Sequence, residues 1–150
     1  MDLLLWRHAE AESRIPDAMR ALTPRGREQA KGTARWLDGH APRGLRVLVS
    51  PSVRTRQTIE VWRRDYELCP GIALGARGED LLALASWPEN RDPVLLVGHQ
   101  PSLGEAAGLI LGIEPPGLVV KKGALWWFQS RERDGKMQAV LRAVIPAGAG

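Results

Sequence analysis

The chain has 150 residues, 44% of them hydrophobic and 25% charged, with a net charge of +4 and an isoelectric point near 9.8. That length predicts a single domain over residues 1–150, able to bury about 70% of its unfolded surface, and the composition excludes a disordered or fibrous chain. The lone cysteine, Cys69, excludes an internal disulfide, and the four-residue apolar run near the amino terminus is neither a signal peptide nor a membrane span, so a cytoplasmic protein with no membrane partner is expected.

The run Leu3-Leu4-Leu5-Trp6 predicts a buried strand over 2–7 that ends on Arg7-His8. Residues 9–22 read as a polar loop carrying Glu10, Glu12, Pro16 and Asp17. Thr23 as N-cap and Pro24 as first helical residue predict a helix to about Asp38, with Ala30, Ala34 and Leu37 on one face and Gly39 as its end. A second strand is predicted over 46–49, and a second helix over 52–66 with Thr58, Val61 and Trp62 inward. Residues 67–77 read as irregular, with a short edge strand near Ile72-Ala73-Leu74, and Glu79 to Trp87 as a short helix stopped by Pro88.

A third strand is predicted over 93–98. Leu103, Ala106, Ala107, Ile110 and Leu111 carry amphipathic helical spacing, and Gly112 ends that helix. A turn at 114–117 leads to two β-rich runs, 119–129 and 137–145, in which Asp134-Gly135 is a strong hairpin signal. The Ala/Gly tail after Pro146 is expected to fray. Continuous apolar strands belong to a parallel sheet covered on both faces. The expected fold class is therefore α/β: a three-layer α/β/α sandwich, mostly parallel, with an antiparallel C-terminal edge hairpin.

The three internal strands end alike. The first delivers Arg7 and His8, the second runs into Ser50-Pro51 and Arg54, and the third into Gly98-His99-Gln100-Pro101. Ligands of open α/β sheets bind at such strand ends. If the strands are neighbours, two permanent cations and two imidazoles converge into a receptor for a dianion, best matched by a phosphoryl group. The arginines are otherwise spread along the chain without an aromatic platform, so the basic balance suits acidic substrates or acidic protein partners and not nucleic acid.

Arg7-His8, Leu22-Thr23-Pro24-Arg25-Gly26, Ser50-Pro51-x-x-Arg54-x-x-Gln57-Thr58 and Val97-Gly98-His99-Gln100-Pro101 together resemble the histidine phosphatase superfamily, over residues 2 to about 112. The short length resembles its small bacterial branch, the SixA-type phosphohistidine phosphatases. The resemblance implies a phosphoglycerate-mutase-like fold. It also implies a covalent phosphohistidine formed on His8, with Arg7, Arg54 and His99 binding the phosphoryl group and His99 donating as an imidazolium. The family's glycine after the histidine is Ala9 here, which predicts a backbone less free to approach the substrate.

No insertion is present to supply the carboxylic acid that larger members use, which leaves Glu10, Glu79 and Asp80 as the candidate acids. A site poor in acid suits a P–N bond, hence phosphohistidine on a protein, with a histidine-phosphotransfer domain as one such partner implied by the resemblance. The alternatives are a phosphomonoesterase for a small phosphorylated metabolite or an activated aryl phosphate, and a catalytically weak phosphate-binding module. His8, His40 and His99 show no metal-site spacing, so neither metal nor cofactor is expected. His40, Arg56 and Cys69 read as bystanders. Lys121-Lys122 read as a solvated edge or a rim contact for substrate, and Trp126 and Trp127 as facing opposite sides of a strand.

Overall fold

The computed structural model describes residues 1–114, 116 and 118–148. Its sheet has the strand order β3-β2-β4-β1-β5-β6. In chain order the elements are β1 (Asp2–Arg7), α1 (Pro24–His40), β2 (Arg46–Val49), α2 (Val53–Glu60), β3 (Glu67–Leu68), α3 (Gly78–Ala85), β4 (Val94–Gly98), α4 (Ser102–Leu111), β5 (Leu125–Arg133) and β6 (Lys136–Ile145). β1, β2, β3 and β4 pair in parallel, whereas β5 joins β1 and β6 joins β5 antiparallel. The expected mixed three-layer sandwich is what forms.

Alternation along the strands sorts the core into two layers. Leu4 and Trp6 of β1 meet Ala30, Ala34 and Leu37 of α1 and Ile59 of α2. Leu3 and Leu5 face the other way, onto Leu81 and Ala85 of α3 and Leu103, Ala106 and Ala107 of α4. With both faces covered, the central strands are apolar throughout, and Val94 to Gly98 are buried at every position.

Register places the site. Arg7 pairs with Gly98 across β1 and β4, and Val49 pairs with Val97 across β2 and β4. The C-terminal ends of β2, β4 and β1 are thus side by side, and the residues that follow them enter one crevice.

Several boundaries depart from expectation. α1 continues through Gly39 to His40. α2 stops at Glu60 rather than Tyr66, because the chain must turn back to lay Glu67-Leu68 along β2; Tyr66 donates to Glu60 at 2.6 Å across that turn. Val61 and Trp62 still pack against the core, from the turn instead of a helix. The edge strand is Glu67–Leu68, whereas Pro70–Ile72 is a 3₁₀ turn that buries Ile72. α3 ends at Ala85 with Ser86 left-handed at φ 55°, one residue before Trp87.

β5 begins at Leu125, not at residue 119, and extends through Arg131-Glu132-Arg133 into the hairpin turn at Asp134-Gly135, whose φ values are 53° and 73°. The expected turn at 114–117 and the tail after Pro146 include residues 115, 117, 149 and 150, which lie outside the described residues. No helix among the described residues is long and apolar enough to cross a membrane.

Candidate active site

His8 follows β1 directly, and its backbone N–H donates to the Gly98 carbonyl at 3.1 Å. Its ring is 4% exposed. Nδ1 lies 2.8 Å from the carbonyl of Ala9. A carbonyl can only accept, so Nδ1 carries the proton and Nε2 carries the lone pair. Burial holds the His8 pKa down at about 3; the Ala9 carbonyl opposes this, and Arg54, His99 and Arg7 add to it. Burial, more than the neighbouring arginines, therefore keeps the ring neutral.

Ala9 itself is fully buried, in the layer beneath α1 and α2, and its N–H donates to the Thr58 hydroxyl at 3.1 Å. Its φ is not in the left-handed region. This backbone conformation does not itself require glycine.

Arg54, at the start of α2, is 2% exposed. Its Nη1 donates to the backbone carbonyl of Asp17 and its Nη2 to the Asp17 carboxylate, both at 3.0 Å. Nη2 also lies 3.4 Å from Nδ1 of His99. Arg7 donates from Nη1 to the Val120 carbonyl at 3.0 Å. The Nε atoms of both arginines are buried without a hydrogen-bond partner among the described residues. Unsatisfied buried donors on two adjacent guanidiniums are costly unless an anion completes the site.

His99 follows β4, is 2% exposed, and stands 5.5 Å from His8 between ring centres. Arg54 can only donate, so His99 Nδ1 is the acceptor and Nε2–H donates to the Ser50 hydroxyl at 2.7 Å. Burial lowers the His99 pKa to about 4, with Arg54 and Arg7 adding to the effect and Asp17 opposing it. Burial and the neighbouring guanidiniums thus favour a neutral imidazole at His99. A proton on Nδ1 would point at the guanidinium.

These two depressed values have a stability consequence. Both lie below the unfolded value near 6.5, so below that pH the unfolded chain binds more protons than the folded one. The stability contributed by the neutral rings is complete above about pH 6.5 and is lost as pH falls through the window down to about 4 and then 3. Denaturant midpoints should fall across that window in the wild type. The slope should flatten in a His8→Gln/His99→Gln variant; an equal slope in both would show that other groups drive it.

Each of the three candidate acids has a partner of its own. Glu10 accepts from the Thr23 hydroxyl at 2.8 Å, beside the α1 N-cap. Glu79 is ion-paired with Arg77, and Asp80 accepts from the Arg77 backbone N–H at 2.9 Å. The carboxylate that reaches the cluster is Asp17, in a 3₁₀ turn at Asp17–Met19 that sequence reasoning treated as plain loop. Against a desolvation penalty, hydrogen bonds from Arg54 and Arg20 hold its carboxyl below the usual value. Asp17 is half exposed and sits on the outer edge of Arg54, where a phosphoryl oxygen would also be attracted. Asp17→Asn keeps a hydrogen-bonding group and removes the competing charge. Inhibition by inorganic phosphate should tighten by about threefold or more, on the scale of one exposed ion pair. Unchanged or weaker inhibition would show that the carboxylate does not compete.

Other supporting residues were also missed. Gln100 accepts from the Gly104 and Val120 N–H groups at 2.8 and 3.2 Å, and so ties the segment over Arg7 to α4. Gly123, at φ 75°, donates to the carbonyls of both Arg7 and His8, while its own carbonyl accepts from Trp6 and Thr33. The segment 119–124, read from sequence as strand, is instead the brace of the Arg7-His8 corner.

A crevice with two guanidiniums and a neutral imidazole whose Nε2 is free of hydrogen bonds among the described residues can hold a dianion against a nucleophile. Comparison with known proteins agrees. The model of the histidine phosphatase superfamily (branch 1) matches residues 3–73. The chain is 37% identical over 121 residues to an uncharacterized protein of Picosynechococcus, covering 73% of each. It is 32% identical over 128 residues to the phosphohistidine phosphatase SixA of Escherichia coli, covering 77% of this chain and 78% of that one. A solved structure of the protein histidine phosphatase SixA complexed with tungstate superposes with a TM-score of 0.76 at 25% identity, over 97% of both chains. The chain belongs to the histidine phosphatase superfamily, whose members of this kind are phosphatases.

Proposed function

We propose that the protein is a phosphohistidine phosphatase acting on phosphorylated proteins, with His8 as nucleophile. In the first step His8 Nε2 forms a bond to phosphorus as the P–N bond to the substrate imidazole breaks, and the electron pair leaves on the substrate nitrogen. The charge that develops on the His8 ring is met by the Ala9 carbonyl at Nδ1–H. Arg7 and Arg54 take the non-bridging oxygens, whose charge they stabilise in the transition state. In the second step water attacks phosphorus, the P–Nε2 bond breaks, and orthophosphate and neutral His8 result. His99, held by Ser50 at Nε2 and beside Arg54 at Nδ1, completes the wall of the cluster that receives the phosphoryl group.

The observation that carries the substrate class is the state of Asp17. It is the carboxylate of the cluster among the described residues, and two arginines keep it ionised. An ionised carboxylate cannot protonate an alkoxide leaving group, and that proton is worth about 10²–10⁴ in rate. A phosphoimidazole whose distal ring nitrogen carries a proton expels neutral imidazole without it. The test is phosphate release from a phosphohistidine-bearing protein beside a panel of alkyl and aryl monoesters. Preference for phosphohistidine, followed by activated aryl esters, supports this reading. Preference for an alkyl ester contradicts it and points to an acid among Glu10, Glu79 and Asp80.

A further inference from the structure

The segment that braces Arg7 has a second side. Val120 is buried and turns its carbonyl to Arg7, while the flanking Val119, Lys121 and Lys122 are exposed. Their outer face lines a groove of about 280 Å³ whose floor is Trp126, Val144 and Pro146 of the edge hairpin and the residue after it. Val119 is 58% exposed and Val144 45%, so an apolar floor lies open to solvent. None of the lining side chains among the described residues carries a carboxylate, and two lysines stand at the rim. The groove adjoins the phosphate cluster through a single peptide, the one that holds Arg7.

We propose that this groove docks the phosphorylated protein itself, through an apolar side chain flanked by carboxylates near the phosphorylated residue. The inference rests on the protein-substrate reading above. Apolar area alone would accept many occupants; the paired lysines select an acidic one. A second copy of this chain is disfavoured, because each copy carries a net +4. An open apolar floor with a charged rim is the usual anatomy of a protein contact and not of a site for a small polar phosphate.

The test is steady-state kinetics of wild type and a Val119→Ser/Lys121→Gln/Lys122→Gln variant on two substrates, a phosphohistidine-bearing protein and 4-nitrophenyl phosphate. All three side chains are exposed, and the brace uses only backbone groups of Val120 and Gly123, so the fold and the Arg7-His8 corner should persist. The expected result is KM for the phosphoprotein raised by about tenfold, with kcat for it and all constants for the aryl ester within about twofold. An unchanged KM for the phosphoprotein would overturn the proposal. So would an equal loss on both substrates, since the lysines would then serve the phosphoryl group alone. Dimerisation of the wild type that the variant loses would assign the groove to a second copy. A wild type active on the aryl ester and inert on phosphohistidine proteins would sink the substrate reading first, and the docking proposal with it.

Discussion

His8→Ala should abolish phosphate release while the rest of the cluster stays in place. The ring is buried but packs between polar neighbours, and its backbone N–H bond to Gly98 survives the substitution. Removing the nucleophile of a covalent mechanism costs about 10⁴-fold or more in kcat, because no other group can take over its bond to phosphorus. His99 cannot substitute: its Nε2 is held by Ser50 and its Nδ1 faces Arg54. Binding of inorganic phosphate should persist within a few-fold, since Arg7 and Arg54 supply the charge. Phosphate release and calorimetric phosphate titration, run side by side, check both halves. A variant that keeps more than about a hundredth of wild-type turnover would rule out His8 as the nucleophile.

Much of this architecture was readable because its signals are local. Apolar runs of three or four residues followed by polar corners mark β1, β2 and β4, and the Thr23-Pro24 cap fixes the start of α1 to the residue, with Gly26 N–H donating to Thr23 at 2.9 Å. Convergence of Arg7, His8, Arg54 and His99 followed once those strands were neighbours, as the β2-β4-β1 order makes them. What was not readable depends on contacts distant in sequence. Asp17 meets Arg54 across 37 residues, and Gly123 meets Arg7 across more than 100. Val119-Val120 carry β-branched strand propensity, yet Gly123 at positive φ and the Ala124 N–H bond to Lys121 turn that segment into a brace. Tertiary hydrogen bonding overrode propensity there.

The supporting residues also explain why the anchors lie where they do. Thr58 links two of them: its hydroxyl accepts from Ala9 N–H and donates to the Arg54 carbonyl at 2.7 Å. Gln57 accepts from Leu22 N–H at 2.8 Å and so secures the end of the loop that carries Asp17. The Gln-Thr pair after Arg54 is therefore a splint between α2 and the residues next to His8.

Arg54→Lys is the substitution that separates charge from geometry. Lysine keeps the positive charge but offers one ammonium where arginine presents a planar fork. Here the fork is already committed: Nη1 and Nη2 hold Asp17, Nη2 also approaches His99, and the side chain is almost wholly buried. An ammonium on a shorter reach cannot hold Asp17 and a phosphoryl oxygen together, so one contact is lost when substrate binds. The expected outcome is a fall of about 10²–10³ in kcat/KM, the scale for removing one pre-oriented donor from a developing anion. Most of it should appear in kcat, because residual charge still attracts the dianion. Arg56→Lys, two residues away on the exposed side of α2, should stay within about twofold. If Arg54→Lys cost no more than Arg56→Lys, Arg54 would be acting as a distant charge only.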